Sequence, residues 1–172
     1  MAWLALTKKS QAREIALKEL RHLLAILQIK EDLSENFWEH PYPVGFVQGY
    51  TTAVTVFVAG ANTTADLSSR VLLDVFTALA PQETAAIAQR LTNWSQQHEP
   101  RFEEAFENGG ILAMFLLGNK KSESTPLARE AFRKARERAS LFDQLQAKTD
   151  ERGRAAIVLR EMLFYDQFPE SP

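Results

Sequence analysis

Between Lys8 and Ile29 the apolar positions Ala16, Leu20, Leu23, Leu24 and Leu27 recur at three- and four-residue steps, while Arg13, Lys18 and Arg21 fall elsewhere. That period is helical, and it predicts a long amphipathic helix. From Lys30 to Pro43 the period is lost. Acidic residues mix with Phe37, Trp38 and Tyr42, and Pro41 and Pro43 forbid a continuous helix, so an ordered aromatic loop is expected.

Val44 to Ala61 is apolar or small throughout, with Gly45, Gly49, Ala53 and Gly60 set among Phe46, Tyr50, Val54 and Phe57. Two assignments compete. The β-branched content of Thr51 to Val58 favours a strand, whereas a helix gathers the large side chains on one face and the small, close-packing ones on another. Helical neighbours favour a buried central helix. Its length approaches the lower limit for a membrane span, but its glycines and threonines suit that environment poorly, so no membrane role is expected.

Thr63 with Asp66 resembles a capping box opening a helix to about Leu79, and Pro81 suits the first turn of another reaching about Gln97. Pro100 opens a fifth, in which Glu103, Glu104 and Glu107 precede Gly109-Gly110 and the run Ile111 to Leu117. The glycine pair is expected to kink or divide that helix. Thr125-Pro126 is a cap followed by a first-turn proline for a helix to about Phe142, and a last helix should follow Asp150. No fixed-period repeat or low-complexity tract interrupts this order. The fold class expected is all-α: a compact, irregular bundle of about six or seven helices with a buried central helix, in one domain over residues 1–172.

Composition narrows the chemistry. The 172 residues are 45% hydrophobic and 24% charged, a balance that supports a packed core. A formal charge of -2 gives no global attraction to nucleic acid or anionic membranes. The absence of cysteine removes disulfides, thiolate metal sites and a cysteine nucleophile. The first nine residues place Lys8 and Lys9 after a short apolar run, the reverse of a secretory leader's order, so a cytoplasmic protein is expected. Sequons at Asn62 and Asn93 then carry little weight.

Glu19 and His22 have the Glu-x-x-His spacing of di-iron carboxylate bundles, but such a site needs a second unit and none occurs. They read as a surface pair. Three histidines, His22, His40 and His98, can in principle share a zinc, but nothing in their spacing brings them together. Glu103, Glu104 and Glu107 fit a helix's acidic first turn better than a catalytic cluster. No nucleophile elbow, Walker loop or dinucleotide fingerprint is present. The reading therefore assigns no catalytic residue, metal ligand or cofactor. Arg129, Arg133, Lys134, Arg136 and Arg138 are diluted by Glu130 and Glu137, with Glu130 pairing to Lys134 and Arg133 to Glu137, so a solvated helix is expected rather than a nucleic-acid reader.

The last helix has two apolar sides. Ala155, Val158, Leu159 and Met162 form one, and Ile157, Phe164 and Phe168 fall on another. The second side packs within the chain or docks on another chain. The function expected is a non-catalytic helical interaction or regulatory protein that binds a protein partner or a second copy of itself, with Ile157, Phe164, Phe168, Trp38 and Tyr42 as contact surface. The alternative is a small helical enzyme or ligand-binding protein with a pocket near the glycine-rich central segment, lined by Glu103, Glu104, Glu107 or the histidines.

Overall fold

The computed structural model describes residues 2–30, 36–145 and 149–168. Among them the chain is all-helical, with nine α-helices packed together and no strand. The helices are α1 (Ala2–Lys30), α2 (Pro41–Ala59), α3 (Ala65–Leu79), α4 (Thr84–Gln97), α5 (Pro100–Leu116), α6 (Lys120–Glu123), α7 (Pro126–Glu137), α8 (Ala139–Leu145) and α9 (Glu151–Leu163). Two features raise the count above six or seven. The polar stretch after Gly118 forms the single turn α6, and the helix expected to reach Phe142 ends at Glu137 and restarts as α8.

Thr51 to Val58 is helical, which resolves the strand–helix ambiguity. The helix also begins three residues earlier than the glycine-rich run, at Pro41. Prolines are tolerated there because the first backbone N–H groups of a helix have no intrahelical acceptor. Of the expected aromatic loop, residues 31–35 lie outside the described residues, and Phe37–Glu39 forms a 3-10 turn. Twelve of the residues in α2 are buried. The segment Pro41–Asn62 has the length and mean hydropathy (1.3) of a membrane span, and 56% of its most apolar 18 residues are buried inside the fold.

Caps set most of the other boundaries. Thr64, not Thr63, caps α3: its Oγ1 accepts the Leu67 N–H at 3.1 Å, while the Thr63 hydroxyl donates to the Gly60 carbonyl. Thr125 accepts from Ala128 at the start of α7, and Asp150 accepts from Gly153 at the start of α9, at 3.2 and 2.7 Å. Pro81 lies in a turn, with α4 opening at Thr84. His98 ends α4 in the left-handed conformation, φ 51°, and Glu99 donates back to the Trp94 carbonyl.

Most of the core is organised by the approach of α2 and α5. Gly45 faces Phe102 and Ala105, Gly49 faces Phe106, and Gly109 faces the Phe46–Tyr50 backbone, so the two helices run parallel in register. A Cβ on Gly49 would stand 2.6 Å from the Phe106 carbonyl carbon. No side chain larger than hydrogen fits there. The stripe Gly45, Gly49, Ala53 on α2 meets the stripe Ala105, Gly109, Ala113 on α5, each at four-residue spacing, the pattern that lets helix backbones touch. Gly109-Gly110 therefore does not divide α5, which is continuous from Pro100 to Leu116.

On the other sides of α2, α1 runs antiparallel to it. Lys8 donates to the Ala59 carbonyl at 3.1 Å, and the Tyr50 hydroxyl, whose pKa is raised chiefly by burial, is raised further by the charge of Glu19. α3 packs on α1 and α2, and Lys9 of α1 pairs with Asp74 at 2.8 Å. α9 packs on α7 and α5.

Candidate functional site

The two elements expected to offer contact surface cover each other. Phe168 lies 5.4 Å from Phe37 and 5.9 Å from Tyr42, ring centre to ring centre, and Phe164 lies 4.8 Å from Phe46. Phe164 is 1% exposed and Tyr42 3%. Ile157, Phe168 and Trp38 are partly buried against the same core. The second apolar side of α9 is thus covered from within the chain, because the 3-10 turn Tyr165–Gln167 folds Phe168 back onto the start of α2. This removes Phe164 and Tyr42 from any free surface.

A polar clasp holds that closure. Asn108 Nδ2 of α5 donates to Tyr42 Oη at 2.8 Å, and Tyr42 Oη donates to the Leu163 carbonyl at 2.7 Å. Arg101 lies over the Tyr42 ring, 4.4 Å from its centre, and donates to the Gln167 carbonyl. Burial pushes the Tyr42 hydroxyl up to about 12. The Tyr42 hydroxyl is used in both directions, accepting from Asn108 and donating to Leu163, and so ties α2, α5 and α9 together.

The other candidate groups do not converge. His22, His40 and His98 are exposed, and no group of three potential metal ligands comes together among the described residues. Glu19 pairs with Arg160 of α9 at 2.5 Å, away from His22. Glu103 accepts from His98 at 2.7 Å, and Glu104 pairs with Arg101, all on the surface. The basic stretch of α7 is largely matched in charge. Arg133 sits between Glu130 and Glu137, at 2.6 and 2.5 Å, and Arg138 meets Glu161 at 2.7 Å. Glu130 thus pairs one turn on with Arg133, where Lys134 was expected, and Arg133 holds the Glu130 carboxyl below its usual pKa.

Of the open concavities, two adjoin in a groove between α3, α4 and α5, while others lie between Lys9 and Asp74 and between Met114 and Thr125. The groove's larger part is a concavity of about 440 Å³ with Leu72, Leu73 and Phe76 of α3 on one wall and Ala88 and Leu91 of α4 on the other. Hydroxyls of Ser69, Thr84 and Thr92 edge it. Gln48 of α2 lines it as well, and Gln48 together with Ser95 also borders a second concavity of about 300 Å³ against Phe102, Phe106, Glu103 and Glu107 of α5. The shared residues make the two one groove. Leu73, lining the first concavity, is 51% exposed and Phe106, lining the second, 37%. The Gln48 Oε1 is buried with no hydrogen-bond partner, a state that costs about 1–3 kcal/mol for a neutral group.

The positions of Leu73 and Phe106 were partly legible in sequence. Val71, Val75 and Phe76 define the buried arc of α3, and Leu73 falls outside it at about 100° per residue. Phe106 lies at the edge of the Ala105–Gly109 stripe, and only knowledge of what that stripe packs against shows that the ring is left outside. Compared with known proteins, the chain matches no family model, no curated protein and no solved structure.

Proposed function

We propose that this chain is a non-catalytic, cytoplasmic interaction protein that holds a partner polypeptide in the groove between α3, α4 and α5. One observation carries the reading: Leu73 and Phe106 remain exposed, each lining one of two adjoining concavities that share Gln48 and Ser95. Single exposed apolar residues are ordinary on protein surfaces, but apolar side chains flanking a groove mark a place where another surface is received. Phe164, one of the first candidates for that role, is buried against Phe46, and Phe168 is partly covered by Phe37 and Tyr42.

A small-ligand pocket is the second reading, favoured by the volume near Gln48, which is within the range of ligand sites. Glu103, Glu104 and Glu107 face solvent and leave it without an enclosed acid or base. Native mass spectrometry of the protein from its own cytoplasm separates the two. The proposal expects a complex with a second polypeptide that is lost in Leu73→Asp/Phe106→Asp while the thermal midpoint holds. A monomer retaining a small-molecule mass would replace it with the second reading.

A further inference from the structure

The groove's lining says what kind of partner it takes, and this step rests on the docking reading above. Peptides are received in a few physical ways: by strand addition, in aromatic-lined proline grooves, by arginine clusters that grip phosphate, or as a helix laid in an apolar groove. The described residues offer no strand edge. The walls are leucine, phenylalanine and hydroxyl side chains, but Phe76 and Phe102 are buried at 2% and 4% exposure, so Phe106 alone presents a ring and no row of aromatic ridges forms; among the described residues no arginine or lysine lines either concavity. A helix in a groove is the mode that remains, with three helices supplying the ridges between which it lies.

Charge then fixes its polarity. Among the described residues the only ionised side chains in the lining are Glu103 and Glu107, one turn apart on α5, and both line the concavity that holds Phe106. Glu103 already meets His98, but Glu107 has no ion-pair partner among the described residues. A neutral helix seated there strips water from Glu107 without replacement, and an acidic one adds repulsion. The Gln48 carbonyl, which lines the same groove, has no donor within the chain and can accept from one on an occupant. We infer that the occupant is an amphipathic helix of a partner protein, its apolar face against Leu73 and Leu91 and lysine or arginine at the end lying beside Glu107.

The test uses the full chain and two synthetic helical peptides that share one leucine face, one ending in lysines and the other in glutamates, titrated while backbone amide resonances are followed. The lysine peptide is expected to shift the amides of Gln48, Leu73, Ser95 and Phe106 and to bind about tenfold more tightly than its counterpart at low salt. Glu103→Gln/Glu107→Gln should erase that preference without weakening the glutamate peptide. Equal binding of both peptides in the groove overturns the charge inference and leaves the docking reading standing. If neither peptide moves those amides, or both move others, the docking reading itself is overturned.

Discussion

Adjacent glycines in α5 should respond to the same substitution with opposite signs. At Gly109 an added Cβ would lie 2.8 Å from the Tyr50 nitrogen and 3.1 Å from the Phe46 carbonyl carbon, with the Phe46 oxygen closer still. These are backbone atoms and cannot rotate away, so α2 and α5 must part by on the order of 1 Å, a gap that forfeits a quarter to a half of the dispersion attraction along the stripe. Overpacking of this kind costs about 1–3 kcal/mol, and the upper part of that range applies where both obstacles are main chain. Alanine returns about 1 kcal/mol through helix propensity, which leaves Gly109→Ala destabilised by about 2 kcal/mol. At Gly110 the nearest atom to an added Cβ is the Gly49 oxygen at 3.9 Å, an ordinary contact. Only the propensity gain acts there, and Gly110→Ala should be more stable by about 0.5–1 kcal/mol. Urea unfolding followed by circular dichroism reads both, with an unchanged denaturant slope as the sign that only stability moved. Equal shifts in the two variants, or a stabilised Gly109→Ala, would refute the parallel backbone contact of α2 and α5.

Tyr42→Phe should cost about 1–3 kcal/mol in the same assay, since Asn108 Nδ2 and the Leu163 carbonyl lose their shared partner. Phe164→Asp should cost more than about 4 kcal/mol and abolish the cooperative transition, because a carboxylate would replace a ring that is buried against Phe46 and Phe168. A folded Phe164→Asp variant would return that residue to the list of surface contacts. Alkaline pH should unfold the chain in a defined window. Burial raises Tyr42 and Tyr165 to about 12, above their unfolded value of 10.0. Their contribution is therefore complete below pH 10 and is lost as pH rises from there toward 12, and tyrosinate absorbance should appear together with the loss of helix.

Much of the helical order was legible because it depends on local chemistry. Thr125-Pro126 and Asp150 act as the caps their sequence spacing implies, and the Leu20, Leu23 and Leu27 stripe of α1 is buried. The departures share a cause: local patterns were judged without the partner they pack on. Gly109-Gly110 looks like a break until Gly45 and Gly49 stand opposite it. The two stripes at four-residue spacing were both present in the sequence, and pairing them would have identified α2 and α5 as neighbours. Phe164 and Phe168 looked available for the same reason, since the chain reversal at Tyr165–Gln167 carries no glycine or proline within it to announce that they fold back. The groove depends on where α4 ends relative to α2 and α5, a tertiary fact that no single helix encodes.

The docking proposal is tested most directly by photo-crosslinking in the protein's own cells, with a benzophenone side chain placed in turn at Leu73, Phe106 and Ile157 and the attached peptide sequenced. Adducts from Leu73 and Phe106 to one helical segment of another protein, with basic residues in the peptide reached from Phe106 and none from Ile157, are the expected result. Adducts confined to Ile157, or none from Leu73 or Phe106, would contradict it.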